Sequence, residues 1–308
     1  MTKIFIDGSA GTTGLRIRER LSLRKDITLI NLKEEFRKDI NARKDALNSS
    51  DIAFLCLPDI ASIEAVSLVE NPNTAIIDTS TAHRVNDNWT YGFSELKGQK
   101  EKISSSKKIA NPGCHASGFI SLIRPLIDCG LIEKDALLTC FSLTGYTGGG
   151  KKMIAEYEEN KPVLFEAPRQ YGLTQNHKHL PEMTKLTGIE KLPVFCPIVS
   201  DFACGMEVTV PLFREYIKGG IEDIKNCYRD YYKGKIVRYA ESDENGFLSA
   251  GKMAGFDDME ISVYGNDERI TVVSRFDNLG KGASGSALQN MNILMGIPEE
   301  TGLNIKGI

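Results

Sequence analysis

A short apolar run, Lys3-Ile4-Phe5-Ile6, leads into Asp7-Gly8-Ser9-Ala10-Gly11-Thr12-Thr13-Gly14, and Thr13 to Leu23 follows with helical spacing. This junction constrains the fold more than any other segment. Glycines between a strand and a helix let the backbone turn sharply and approach a pyrophosphate, whose charge then sits at the helix N-terminus. The G-x-x-G-x-x-G spacing makes Gly8, Ser9, Gly11, Thr12, Thr13 and Gly14 candidate dinucleotide contacts; the alternative is an ordinary strand-to-helix turn. The alternation then continues. Ile27–Ile30, Asp51–Leu57 and Ala75–Ile77 are strand candidates, and Ile60–Val69 is a helix candidate with Ile63, Val66 and Val69 on one face. Continuous apolar strands separated by helices call for a parallel sheet covered on both faces, a Rossmann-like doubly wound α/β domain.

The end of the second strand normally sets which dinucleotide is taken. There Asn31-Leu32-Lys33 offers no immediate carboxylate to a free ribose hydroxyl. Lys33, Arg37 and Lys38 suit a 2′-phosphate, with Glu34 and Glu35 opposing them. The balance favours NADP(H) over NAD as the cofactor. The second half of the chain has a different rhythm. Met206, Val208, Val210 and Leu212 alternate with polar or small neighbours, as do Met259, Ile261 and Val263. Gly265-Asn266-Asp267-Glu268 is a hairpin connection to Ile270–Phe276. Alternation of this kind predicts a mostly antiparallel sheet with helices on one face, hence an α+β domain. Ser284 to Met295 returns to helical spacing, with Ala287, Leu288, Met291 and Leu294 on one face.

A length of 308 residues fits two domains, and 41% hydrophobic residues with a net charge of −3 exclude a disordered chain. The 38 basic side chains do not exceed the 41 acidic ones, so no nucleic-acid partner is expected. The longest apolar runs, such as Ile52 to Leu57, are too short to span a bilayer, and Asp7 and Gly8 interrupt the N-terminal one. Neither a membrane span nor a signal peptide is expected. The seven cysteines are scattered, odd in number and never in C-x-x-C spacing. That argues for a reducing cytoplasm and against a disulfide framework or a zinc knuckle.

One cysteine stands apart. Asn111-Pro112-Gly113-Cys114-His115-Ala116-Ser117-Gly118 turns at Pro112-Gly113 and continues through Phe119, Ile120, Leu122, Ile123 and Leu126 at helical spacing. Cys114 is therefore expected at a helix N-terminus, where unpaired N–H groups and the macrodipole favour a nucleophilic thiolate. Cys56, Cys129, Cys140 and Cys227 sit in apolar contexts and read as buried structural residues. A base is available in His177-Lys178-His179-Leu180-Pro181-Glu182: if the segment is extended, both rings point the same way. The pair could also bind zinc, but no third ligand lies at matching spacing, so no metal is expected. His115 and His83 have no comparable claim to acid–base work.

Taken together, the glycine loop, Asp78–Arg84, Tyr91–Leu96, Asn111–Cys114, His177–Glu182, Asp277–Gly285 and Gln289–Asn292 make the chain closely similar to the short-form N-acetyl-γ-glutamyl-phosphate reductase family of the semialdehyde dehydrogenase superfamily. The resemblance implies NADPH-dependent reduction of an acyl phosphate to an aldehyde, in arginine biosynthesis, through a thioester on Cys114. His179 is the first choice for the proton, with His177 as the alternative, and the Cys114 N–H would stabilise the oxyanion. It further implies substrate contacts at Ser80, Arg84, Asn111, Ser142, Thr144 and Lys151, a cofactor contact at Asn290, and a homo-oligomer, dimer or tetramer. The NADP domain is then residues 1–113 completed by 284–308, and the catalytic and oligomerisation domain 114–283. Competing readings are a relative acting on an aspartyl or aminoadipyl phosphate, a non-catalytic NADP-binding module, and a zinc protein using His177 and His179.

Overall fold

In the computed structural model, which describes residues 1–159, 161–241 and 243–306, the apolar strands of the first third assemble as one sheet. The elements are β1 (Thr2–Asp7), α1 (Thr12–Ser22), β2 (Ile27–Ile30), α2 (Ile40–Ser49), β3 (Ile52–Leu55), α3 (Asp59–Ser67), β4 (Ala75–Asp78), β5 (Thr90–Tyr91), α4 (Gln99–Ser105) and β6 (Lys108–Ala110). The strand order is β2-β1-β3-β4-β6-β5, all pairs parallel. Because side chains alternate across a strand, β1, β3 and β4 each feed two cores. Ile4, Ile6, Ile52, Phe54 and Ile77 meet Ile17 and Leu21 of α1 on one side. Phe5, Ala53, Leu55 and Ile76 meet Ala46, Leu47 and Ala65 of α2 and α3 on the other.

The face of α3 differs from the expectation. Ile63 is 55% exposed, whereas Ser62 and Ala65 are fully buried. The Ser62 hydroxyl donates to the buried Asp78 carboxylate at 2.8 Å, which turns the polar Ser62 inward and the larger Ile63 out.

The second unit begins with α5 (Cys114–Asp128) and continues through β7 (Thr139–Gly145), α6 (Gly150–Glu158), β8 (Arg169–Gln170), α7 (Leu180–Thr187), β9 (Val194–Ser200) and β10 (Met206–Phe213). It ends with α8 (Ile221–Tyr231), β11 (Val237–Tyr239), β12 (Met259–Asn266) and β13 (Arg269–Phe276). Its sheet is mixed, in the order β11-β12-β13-β10-β7-β9-β8. β12 and β13 form the hairpin, with Asn266 opposite Arg269. α5 lies directly on the sheet: a Cβ at Gly118 would come within 2.3 Å of Val208 Cγ2. Pro125 inside α5 has no N–H to offer the carbonyl of Ser121. The Tyr232 hydroxyl donates to that carbonyl instead, at 2.7 Å.

Cys129, capping α5, and Cys227, in α8, are joined as a disulfide across 98 residues of sequence. This corrects the reading of both as reduced structural thiols; the helix packing that brings them together is invisible in their local context. A π-helical turn, Gly280–Ser284, then leads into α9 (Gly285–Leu294). The chain divides into two units, Met1–Pro112 with Ser286–Leu303, and Gly113–Gly285 with Asn304–Ile308. Ala287, Leu288 and Met291 of α9 complete the first core. The expected return of 284–308 stops at Leu303, because Asn304 and Asp257 exchange two hydrogen bonds at 2.7 and 2.8 Å within the second unit. Among the described residues, no helix is long and apolar enough to cross a membrane.

Candidate active site

Cys114 is the first residue of α5 and is half-buried. Gly113 is the N-cap, extended at φ −81° and ψ 145°, and without a side chain it leaves the opening amides of α5 uncapped from that position. The Gly113 N–H is held elsewhere: it donates to Glu182 Oε1 at 2.8 Å. Glu182 is 1% exposed, in the first turn of α7. Gly282 packs so closely that a Cβ there would come within 2.9 Å of Cys114 Cβ.

Three of the four histidines gather in the same unit. His177 and His179 have ring centroids 4.9 Å apart, yet the segment is not extended as expected. His179 sits at φ −82° and ψ −16°, entering α7, and its N–H donates to His177 Nδ1 at 3.3 Å. His179 is buried and His177 half-buried. Burial, and secondarily the charge of Lys178, hold His177 below the usual histidine range. His115 belongs to this cluster too, its ring 5.4 Å from His179 and 5.9 Å from His177. Its Nδ1 pairs with Ser142 Oγ at 2.6 Å and its Nε2 with Tyr171 Oη at 2.7 Å. Burial drives its pKa down to about 3, aided by His177 and Lys178. Sequence reasoning set His115 aside and missed Tyr171; the available signal was that His115 directly follows Cys114. No group of three or more His, Cys, Asp or Glu among the described residues could hold a metal ion.

The expected phosphate loop needs correction. Ser142 is fully buried and commits its hydroxyl to His115, and Thr144 is 4% exposed with its hydroxyl on the Gly145 carbonyl. Neither presents a donor to solvent; only Lys151 is exposed.

Within the first unit, the glycine loop closes on itself. Gly8 adopts φ +86°, and a Cβ there would lie 2.2 Å from the Cys56 carbonyl oxygen, so only glycine fits. α1 starts at Thr12 after Gly11, with no side-chain cap, which leaves its first amides for an anion. A cavity of ≈ 760 Å³ lies against this loop, lined by Gly8, Ser9, Asn31, Arg37 and Lys38 among others. Arg37 reaches Ser9 Oγ at 3.5 Å and also pairs with Glu34.

At the same carboxyl edge of the sheet, two strands from Asp7, Asp78 is fully buried and accepts from the Ser80 hydroxyl and N–H at 2.7 and 2.9 Å and pairs with His83 Nδ1 at 2.6 Å. Arg84 donates to the carbonyls of Asn111 and Thr79 at 2.9 and 3.0 Å. Asn290 donates to the Gly92 carbonyl and to Asn111 Oδ1, at 2.9 and 3.2 Å, while its own Oδ1 is buried with no partner. A buried amide oxygen without a donor is costly, so this atom fits a ligand N–H. Together with the uncapped start of α1, it fits a nicotinamide dinucleotide.

Comparison with known proteins agrees with this architecture. Residues 3–105 match the semialdehyde dehydrogenase NAD binding domain, and residues 114–278 the semialdehyde dehydrogenase dimerisation domain. Solved aspartate semialdehyde dehydrogenases from Vibrio cholerae and Francisella tularensis share the fold, with TM-scores of 0.72 and 0.71 at 13% and 16% identity. Each superposition covers 96% of this chain, and 98% and 100% of theirs. Fold and family matches thus define the class, that of the semialdehyde dehydrogenases. Two proteins named N-acetyl-γ-glutamyl-phosphate reductase, from Brucella anthropi and Sinorhizobium medicae, are 46% and 47% identical over 306 and 305 residues. The alignments cover 96% and 95% of this chain and 98% of each relative. The chain belongs to the N-acetyl-γ-glutamyl-phosphate reductase family.

Proposed function

We propose that this protein reduces N-acetyl-L-glutamyl 5-phosphate to N-acetyl-L-glutamate 5-semialdehyde and phosphate with NADPH, as a cytoplasmic enzyme of arginine biosynthesis. The observation that carries the chemistry is Cys114 at the start of α5, in one unit with His115, His177 and His179. The Cys114 sulfur attacks the acyl carbon, the C–S bond forms, and the C–O bond to phosphate breaks. The thiol proton departs with the phosphate as hydrogenphosphate, and the backbone N–H of Cys114 stabilises the tetrahedral oxyanion. Bound NADPH supplies the hydride that reduces the thioester carbonyl. His179 or His177, charged with a proton from solvent, then protonates the resulting oxygen and carries that proton to sulfur as the carbonyl reforms and Cys114 is released. Burial and Lys178 lower the basicity of His177, so a proton it takes up is readily given to that oxygen.

Arg84 and the exposed Lys151 are the substrate-oxyanion candidates that remain, the Ser80 hydroxyl being donated to the buried Asp78. The amides at the start of α1 would take the pyrophosphate of the dinucleotide, Asn290 Oδ1 a nicotinamide amide N–H, and Arg37 and Lys38 a 2′-phosphate. A homo-oligomer is supported by the sheet face opposite α5. There Phe141, Val194 and Phe213 are 44%, 55% and 56% exposed, an apolar surface that a second copy would cover.

The test runs the reaction in reverse. N-acetylglutamate semialdehyde, phosphate and NADP should yield NADPH with wild type and not with Cys114→Ser, while aspartate semialdehyde reacts poorly. Equal rates in both proteins would remove Cys114 as nucleophile, and a preference for aspartate semialdehyde would reassign the substrate. Cofactor binding that survives Cys114→Ala, with no turnover in wild type, would favour a non-catalytic module.

A further inference from the structure

We propose that Arg43 is a positioning residue for the cofactor: it cancels the charge of Asp7, so that the glycine loop accepts an anionic dinucleotide. This rests on the reading that the uncapped start of α1 takes the pyrophosphate. Asp7 ends β1 and directly precedes Gly8. It follows Phe5 by two residues, so its side chain leaves the same face of the strand, the one covered by α2 and α3. There it is 5% exposed. On α2, Arg43 precedes Ala46 and Leu47 of that core by three and four residues, which puts all three on one helical face. Arg43 Nε donates to Asp7 Oδ2 at 3.0 Å, Nη2 lies 3.0 Å from the same oxygen, and Nη1 donates to Glu64 Oε2 of α3 at 2.9 Å. Asp7 and Arg43 both line the cavity of ≈ 760 Å³, beside Gly8 and Ser9. The pair is thus part of the wall against which the cofactor would lie.

A carboxylate in that wall works against the rest of the site. Amides at a helix start attract a pyrophosphate, whereas a buried negative charge a few ångströms away repels it with little screening by salt. A guanidinium is charged at every working pH, so Arg43 removes this repulsion permanently. Glu64, its second partner, has a side chain 49% exposed, and water screens that charge. Cys56, whose N–H donates to the Asp7 carbonyl at 2.8 Å, adds no charge, because burial pushes its thiol up to about 12. The other charges on the cavity lining are Arg18, Glu34, Glu35, Arg37 and Lys38. Burial raises the pKa of Asp7, and Arg43 opposes that rise. Loss of Arg43 therefore leaves a carboxylate that repels the cofactor when ionised and is neutralised by a proton as pH falls.

The experiment titrates the full chain with NADPH by fluorescence at about pH 7 and about pH 9, each Kd taken relative to wild type at the same pH. Arg43→Met should weaken binding at least about tenfold at the higher pH and less at the lower, where Asp7 takes up a proton. Asp7→Asn should bind NADPH as tightly as wild type or more tightly, because it removes only a negative charge. The double variant Asp7→Asn/Arg43→Met should return to within about threefold of wild type and lose the dependence on pH. A pair that served the fold alone would weaken binding alike in both single variants. That result, or an Arg43→Met protein equal to wild type at the higher pH, would overturn the inference. Should Arg43→Met not fold, Asp7→Asn decides: weaker binding overturns the inference, and equal or tighter binding supports it. Equal Kd values in all four proteins would remove the role of Arg43 and leave the proposed reaction standing. The expected pattern without turnover of N-acetylglutamate semialdehyde by wild type would overturn the reaction and leave the role of Arg43 supported. Wild type that does not bind NADPH would overturn both.

Discussion

The carboxylate of Glu182 accepts the backbone N–H of Gly113 at 2.8 Å, one residue before Cys114. The two residues lie 69 positions apart, yet this bond sets where α5 begins and hence where its sulfur stands. A buried N–H left without an acceptor costs about 1–3 kcal/mol. Glu182→Ala should therefore lower stability by roughly that amount in urea titrations, and lower kcat at least about tenfold through misplacement of Cys114. Glu182→Gln keeps an acceptor oxygen and should recover most of both. Equal activity of Glu182→Ala and wild type would remove the Gly113 contact from the catalytic geometry.

The buried imidazole of His115 makes stability depend on pH. Its folded pKa of about 3 lies below the unfolded value of 6.5, so the unfolded chain binds the proton first. The contribution is whole above pH 6.5 and is lost as pH falls from there toward about 3. Tm of wild type should fall as the solution is taken from pH 7 to about 5, and the fall should be shallower in His115→Phe. Parallel Tm curves for the two proteins would contradict this assignment.

Gly92 and Asn290 test the cofactor contact. A Cβ at Gly92 would sit 2.3 Å from Asn290 Nδ2 and must push the amide aside. Gly92→Ala should weaken NADPH binding about tenfold, the worth of one well-placed hydrogen bond, and Asn290→Ala should do the same. Unaltered Kd values by fluorescence titration in both variants would show that the buried Oδ1 serves the fold and not the dinucleotide.

Pro125 creates a vacancy that Tyr232 fills. Removing the hydroxyl in Tyr232→Phe leaves the Ser121 carbonyl buried without that donor, which should cost about 1–3 kcal/mol with little change in kcat. The double variant Pro125→Ala/Tyr232→Phe restores an N–H to the helix and should recover part of the loss. Denaturation of the three proteins, run side by side, decides it.

Much of this was legible in the residues alone, where the cause is local. An apolar run ending at Gly8 must turn before α1, Pro112-Gly113 must break the chain before Cys114, and alternation around Asp267-Glu268 must pair two strands. Each follows from backbone freedom or side-chain period within a few residues. Other features depend on partners distant in sequence. Ile63 faces out because Ser62 bonds Asp78, and Ser142 turns away from solvent because His115 needs a partner. Cys129 meets Cys227 because α5 and α8 pack together, and His115 gains Tyr171 across 56 residues. By itself, then, the sequence determined the strand and helix periods, the glycine turn and the cysteine at a helix start. Tertiary structure alone decided which polar atoms share a buried space, because burial makes each such atom find a partner wherever the chain brings one within about 3 Å.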